Sequence, residues 1–230
     1  MQPTILFYNP LSTSPGKQRL PMSLLSIAAV VSHDYTPEFI DGNLISDPAA
    51  AIIERARATH ARLLAVTVMP GPQLRQAVPV CKQVKAALPD LQIVWGGYFP
   101  SNHHEVVINS DAADYVIVGQ GETAFRQLVD VLHNGGALAD VPSLVWRNGS
   151  VQVNPRAAFV SPDTLPRYPY DSLDMTHYIS SSYLGRRVLA HHTSWGCPFA
   201  CNFCAVVPLA KQRWLAERGD AAGADRGSLW

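Results

Sequence analysis

The sequence lacks an excess of charge of either sign: 18 Lys and Arg balance 18 Asp and Glu over 230 residues. With no net field and no basic run, nothing in it draws in nucleic acid or an anionic membrane surface. It lacks a cationic start, opening Met1-Gln2-Pro3-Thr4. No apolar run approaches the roughly 18–20 residues that a bilayer span needs, so no membrane span is expected and the chain reads as soluble and cytoplasmic. Cysteine is scarce, four residues in all. Cys81 stands alone in a helical pattern, where a small buried side chain is the expected role. Cys197, Cys201 and Cys204 crowd into one loop, which in a reducing compartment reads as a metal site and not as a disulfide framework.

What is present is a five-fold alternation of strand and helix over residues 1–136. Apolar, β-rich runs fall at 4–8, 38–41, 62–69, 91–95 and 115–118. Helix-period segments fall between them at 22–31, from Asp47-Pro48 onward, and at 73–88, with a last helix at 122–133 before Gly135-Gly136. Asp47 is an expected N-cap with Pro48 in the first turn; Ile52, Ile53 and Ala56 mark that helix's inward face. The run at 62–69 is apolar almost throughout, as befits a strand covered on both faces. The expected fold is therefore α/β: a flavodoxin-like (Rossmann-like), doubly wound, five-stranded parallel sheet.

Ligands on such sheets gather beyond the carboxyl ends of the strands. Those ends carry Asn9-Pro10, Asp41-Gly42-Asn43, Thr67-Val68-Met69-Pro70-Gly71, Gly96-Gly97-Tyr98 and Gly119-Gln120-Gly121-Glu122. Small residues at so many exits let a backbone approach something large and flat, although any single glycine there also serves a tight turn. Glu122 has two readings, a ligand contact or a carboxylate placed favourably in the first turn of its own helix.

From about residue 140 the helix period disappears. Asn148-Gly149 between two short β runs signals a hairpin, and Pro155, Pro162, Pro166 and Pro169 follow, with Tyr168 and Tyr170 among them. Residues 137–185 are expected to be a hairpin and an extended surface linker. A strand over 187–192 then begins a second domain, 186–215, and a tail at 216–230 without apolar period reads as disordered. Tyr168, Tyr170 and Tyr183 are candidates for the seam between the domains.

That strand runs into Cys197-Pro198-Phe199-Ala200-Cys201-Asn202-Phe203-Cys204, a C-x3-C-x2-C loop. Three thiolates can ligate three irons of a cubane cluster and leave the fourth open for chemistry. A zinc site completed by His191 or His192 is the competing reading, but zinc motifs usually pair two knuckles and no second one exists in the sequence.

The spacing of Cys197, Cys201 and Cys204, with aromatic Phe203 before the last, resembles the radical S-adenosylmethionine (SAM) superfamily. Leu20-Pro21-Met22-Ser23-Leu24, Asp41-Gly42-Asn43, the stretch from Val94 to Pro100 and that from Asp114 to Glu122 resemble the cobalamin-binding domain that precedes radical SAM barrels in corrinoid-dependent methyltransferases and cyclases. The resemblance covers residues 1 to about 210. It implies a 4Fe–4S cluster on the three cysteines, SAM chelating the open iron with Phe203 near its adenine, and cobalamin on the strand exits. Pro10, Asp41, Asn43, Thr67, Met69, Gly71, Gly96, Gly97, Tyr98, Gly119, Gly121 and Glu122 would be the corrinoid contacts. It further implies reductive cleavage of SAM to a 5′-deoxyadenosyl radical, methyl transfer or radical rearrangement at an unreactive carbon of a small-molecule substrate, and a reductant such as flavodoxin or ferredoxin.

Two departures qualify the resemblance. The D-x-H-x-x-G window of cobalamin domains that supply an axial histidine, started at Asp41, has Asn43 and Ser46 in the other places, so cobalt is expected to be bound without a protein imidazole. A (β/α)8 barrel needs roughly 200 residues or more, and 26 follow Cys204, so the chain is expected to be a truncated, inactive front end of such an enzyme. The alternative is a stand-alone corrinoid carrier or sensor with a vestigial or zinc-binding cysteine loop. A response-regulator-like domain is disfavoured because Asp41 is the only carboxylate at a suitable early strand end.

Overall fold

The computed structural model describes residues 2–191. Its elements follow the expected alternation: β1 (Thr4–Asn9), α1 (Met22–Ala29), β2 (Thr36–Asp41), α2 (Pro48–Thr59), β3 (Leu63–Thr67), α3 (Pro72–Ala87), β4 (Gln92–Gly96), α4 (Tyr98–Asn102), α5 (His104–Ile108), β5 (Tyr115–Ile117) and α6 (Glu122–Asn134). Two short hairpins come after: β6 (Leu144–Asn148) with β7 (Ser150–Val153), and β8 (Ser180–Ser182) with β9 (Gly185–Val188). Asp47 caps α2 as expected, its carboxylate accepting from the Ala50 amide at 3.0 Å with Pro48 in the first turn.

The sheet runs β2-β1-β3-β4-β5-β6-β7. Its first five strands are parallel, in the flavodoxin-like order. Side chains alternate across it. Leu6, Tyr8, Leu64, Val66, Ile93 and Trp95 face α2 and α3, which answer with Ile52, Ala56, Ala77, Cys81 and Val84. Ile5, Phe7, Ala65 and Val94 face α1 and α6, which answer with Leu24, Ala28, Phe125 and Leu128. Burying each such Leu, Ile or Phe stabilises the fold by about 1.5–3 kcal/mol. This two-sided coverage explains why β3 is apolar throughout.

Three expectations are revised. The hairpin at Asn148-Gly149 forms, but it belongs to the sheet: β6 pairs antiparallel with β5, Val116 opposite Val145 and Ile117 opposite Leu144. The α/β unit therefore runs past residue 136, because β5 would otherwise be an open edge and Leu144 and Val145 would lack their burial. Two short helices, α4 and α5, occupy the stretch between β4 and β5 where no helix was anticipated. The strand expected over 187–192 is Gly185–Val188, and it pairs with β8 in a separate two-stranded sheet.

The proline-rich stretch runs extended over the surface as expected, and it is pinned there as a strap. Ser143 N donates to Pro155 O at 2.7 Å and Ala157 N to Ser143 Oγ at 2.8 Å. The Gln120 side chain holds Val160 through both its backbone groups, each at 2.8 Å. Single 3-10 turns at Pro162–Thr164, Tyr170–Ser172 and Met175–Tyr178 replace the α-helix that proline forbids. Tyr178 is buried among Leu20, Met22 and Leu25, with Tyr168, Tyr170, Leu173 and Met175 packed around it. Its hydroxyl donates to Asp41 Oδ2 at 2.8 Å, and Gln18 Nε2 donates to His177 O at 2.7 Å.

Tyr178→Phe should leave Asp41 Oδ2 without its buried donor and cost about 1–3 kcal/mol. Thermal unfolding followed by circular dichroism should show a melting temperature lower by several degrees. An unchanged transition would mean that the strap is not latched.

Candidate functional site

The strand order reverses between β1 and β3, so the chain leaves β1 toward α1 on one face and β3 toward α3 on the other. A crevice opens between the two exits. Asn9, buried at the end of β1, accepts from Gln73 Nε2 through Oδ1 at 3.1 Å, and Pro10 O accepts from the same amide at 3.3 Å. Gln73 Oε1 accepts from Met69 N at 2.8 Å, so one amide spans the two exits. Gln76 Oε1 accepts from Tyr8 Oη at 2.9 Å and from Leu11 N at 2.5 Å. Gly42 is needed beside it, since a Cβ there would collide with Gln76 Oε1.

On the α1 side, Thr67 Oγ1 and Ser23 Oγ lie 3.0 Å apart. Gly96, on the same face as Thr67 by alternation with Trp95, has nothing within 4 Å of the position a Cβ would take. Gly97 is the opposite case. A Cβ there would lie 2.9 Å from Val68 O, and its φ of 101° already favours glycine. Gly71 borders open space, and Met69 is 48% exposed, an apolar side chain on a polar rim. Tyr98 is half-buried at the start of α4.

The remaining anticipated residues are turned inward. Asp41 Oδ1 accepts from Asn43 N at 2.9 Å and Nδ2 at 2.6 Å, and Oδ2 is taken by Tyr178. Asn43 Oδ1 accepts from Ser12 N at 2.9 Å, tying down the loop after β1. Gly119 N donates to Ser101 Oγ at 3.0 Å, and Gly121 packs against Ile27 of α1. Glu122 is 3% exposed and points into the α1–α6 interface, where Ser26 Oγ donates to Oε1 at 2.5 Å. Burial pushes its pKa up, against the lowering effect of Ser26 and of the Gly121 and Glu122 amides, while Oε2 makes no hydrogen bond of ordinary geometry.

Pro10, Thr67, Met69, Gly71, Gly96 and Gly97 thus gather about one crevice, whereas Asp41, Asn43 and Glu122 hold loops and helices together. Ser23, Ser26, Gln73 and Gln76 were missed. The signal was available: two glutamines three residues apart in the first two turns of a helix that starts at a strand exit, each able to donate and accept. Cys81 is the inert core thiol expected, its pKa pushed up to about 12 by burial. His191 Nδ1 lies 3.2 Å from Tyr170 Oη. Cys197, Cys201, Phe203 and Cys204 lie outside the described residues. Among the described residues, no three His, Cys, Asp or Glu side chains form a metal-binding group, and no helix is long and apolar enough to cross a membrane. A shallow groove between α2 and α3, lined by Ala50, Ile53, Glu54, Arg57, Ala58 and Gln83, lies on the flank away from the exits.

The family model for the B12 binding domain matches residues 11–129, more than half of the chain. The chain belongs to the B12-binding domain family. The matched residues run from the loop after β1 into α6 and so include the exits of β2 to β5. Among curated proteins, the B12-binding chain is similar to the anaerobic magnesium-protoporphyrin IX monomethyl ester cyclase of Synechocystis sp., 28% identical over 201 residues that make up 84% of this chain and 39% of the relative. It is also similar to an uncharacterized methyltransferase of Pyrococcus horikoshii, 29% identical over 84% of this chain and 42% of the relative. The chain therefore spans about two fifths of the length of these relatives. Among solved structures its fold is similar to the cobalamin-dependent SAM radical enzyme OxsB with aqua-cobalamin bound (TM-score 0.64, 19% identity, 76% of this chain and 25% of that one). It is equally similar to the radical SAM methyltransferase TsrM from Kitasatospora setae (TM-score 0.64, 18% identity, 95% and 46%).

The crevice fits the group that the family binds. Gly96 leaves open space over the end of β4, Ser23 and Thr67 line the α1 side with hydroxyls, and Met69 offers an apolar contact. None of the exits 9–21, 41–47, 67–71, 96–102 and 118–122 contains a histidine; the first imidazoles after β4 are His103 and His104, at the junction of α4 and α5.

Two consequences can be measured. Gly97→Ala should destabilise the domain by about 2–5 kcal/mol, combining positive-φ strain with the clash on Val68, as read by chemical denaturation; a cost near zero would contradict the close approach. The raised pKa of Glu122 means that the folded protein holds a proton which the unfolded chain has released, so its contribution falls as pH rises above the ordinary carboxylate range. Glu122→Gln, which keeps the bond from Ser26, should therefore stabilise the protein near pH 7 and lose that advantage below the ordinary glutamate pKa. Melting temperatures of both proteins across pH should diverge upward; parallel curves would show that burial does not perturb Glu122.

Proposed function

We propose that this chain binds cobalamin at the carboxyl edge of its sheet and is the corrinoid-binding part of a radical SAM enzyme. The observation that carries the reading is the open space at Gly96, flanked by Ser23 and Thr67 and closed behind by Gly97 on Val68. An edge so built accepts a bulky ligand between α1 and the sheet without moving the core. The absence of imidazole from the exits supports a cobalt without a protein axial ligand. Asp41 and Asn43, occupied by their own loop, serve to shape the site and leave direct contact to Pro10, Thr67, Met69, Gly71, Gly96, Gly97 and Tyr98, with Gly119 and Gly121 at the β5 exit.

The C-x3-C-x2-C loop is read as the holder of a 4Fe–4S cluster with SAM near Phe203, and the radical SAM names of the two similar solved structures support that reading. The bound groups would supply reductive SAM cleavage and methyl transfer or radical rearrangement. The described residues bind, orient and exclude water.

Titration of the anaerobic protein with hydroxocobalamin should give saturable, near-stoichiometric binding. The paramagnetic spectrum of the bound cob(II)alamin should show no nitrogen coupling from a protein histidine. Gly96→Phe should weaken binding by at least about tenfold, the effect of filling a pocket at a cost above 1.4 kcal/mol, while a circular dichroism spectrum like that of the unaltered protein shows that the fold persists. Full affinity in Gly96→Phe, or no binding by the unaltered protein, would remove the assignment.

A further inference from the structure

Arg156 lies outside the segment matched by the family model, on the strap that crosses the end of β5. Its Nη1 stands 3.0 Å from the position a Cβ on Gly119 would take, so the guanidinium occupies the space directly over the β5 exit. The backbone on both sides of it is pinned. Ser143 N binds Pro155 O, Ala157 N binds Ser143 Oγ, and Gln120 takes both the amide and the carbonyl of Val160. Ser143 is itself held at a φ of 59°, a left-handed conformation that serine adopts rarely. The strap is thus clamped so that one cation is delivered to the strand exits.

Among the described residues Arg156 makes no ion pair and no side-chain hydrogen bond, whereas Arg126 pairs with Asp34 and Asp130, Arg55 with Glu38, and Lys85 with Asp114. Neighbouring atoms exclude enough water to lower its pKa. A guanidinium carries five donors in a fixed fork that matches an oxyanion. The carboxylates of the same edge are already used: Asp41 by Asn43 and Tyr178, Asp47 by the Ala50 amide, Glu122 by Ser26.

We propose that Arg156 is an anion-binding residue that takes the phosphodiester of the corrinoid's nucleotide loop at the β5 exit, and so makes the site prefer a complete corrinoid over one lacking that loop. The inference rests on the corrinoid reading above and adds a specificity determinant to it. Arg156 is a ligand-positioning side chain here; it performs no chemistry. Gly119 beneath it holds a φ of 87° that favours glycine, and a Cβ there would crowd Arg156 Nη1 at 3.0 Å.

The test compares hydroxocobalamin with cobinamide, which has the corrin ring but neither phosphate nor nucleotide, by absorbance titration of the full chain. In Arg156→Met the dissociation constant for hydroxocobalamin should rise about tenfold or more, the usual effect of removing one charge-assisted hydrogen bond. The constant for cobinamide should stay unchanged, and Arg156→Lys should recover part of the lost affinity. Because the side chain has no internal bonds, the melting temperature should not move. Equal loss for both ligands, or no loss for hydroxocobalamin, overturns the proposal while leaving the corrinoid reading in place. Failure of the unaltered protein to bind either ligand overturns both.

Discussion

A parallel sheet in the order β2-β1-β3-β4-β5 must send the chain from β1 and from β3 to opposite faces, and the crevice at their exits is a consequence of that divergence. A cleft of this kind exposes backbone groups that neither strand can satisfy, and buried unpaired groups cost about 1–3 kcal/mol each. The fold meets the cost with side chains sent across the gap. Gln73 joins Asn9 and Pro10 to Met69, and Gln76 joins Tyr8 to Leu11. Both glutamines come from the first two turns of α3, so the helix that covers one face of the sheet also fixes the width of the crevice. Gly97 fixes its floor, since only a residue without Cβ can sit against Val68.

The same constraint places the strap. The sheet would end at β5 with an unpaired edge, and the β6–β7 hairpin covers it. The chain then comes back along the carboxyl edge, touching the β5 exit at Gln120 and the β2 exit at Asp41. Tyr178 anchors the far end with a buried hydrogen bond and contacts to Leu20, Met22 and Leu25 on the α1 side. The α1 side and the β2 exit are thereby tied to residues more than a hundred positions away, and the β5 exit to one 40 positions away. The crevice is shaped by tertiary packing as well as by strand order.

Most of this architecture was legible in the residues. The period-two and period-3.6 patterns, Asp47-Pro48 and Asn148-Gly149 gave the strand and helix order, and the glycines lie at the strand ends where the sequence put them. What was not legible was long-range. Proline at 155, 162, 166 and 169 correctly excluded an α-helix, but local composition cannot say that Tyr178 finds Asp41 across 137 residues. The hairpin signal fixed its turn and left its partner strand open, so β6 was not expected to extend the sheet. Pro100 masked α4, although proline in a first helical turn is tolerated. Asp41 and Glu122 show a different effect of tertiary packing. Each stands at a strand exit, where sequence position favours ligand contact, yet each carboxylate points into the protein because a partner hydroxyl or amide lies there.

The inward turn of those carboxylates decides what kind of ligand the edge can accept. A divalent cation or a phosphoacceptor site needs at least one free carboxylate at the strand ends, and Asp41, Asp47 and Glu122 are each engaged with groups of the chain itself. What the crevice offers outward is hydroxyl, glycine backbone and thioether, from Ser23, Thr67, Gly96 and Met69, with Arg156 adding positive charge at one end. Such a surface is poor for a small cation and suited to a wide, mostly neutral ring that carries a single anionic group to one side. The charge arrangement therefore points to the same ligand class as the family match, through side chains that lie partly outside the matched segment.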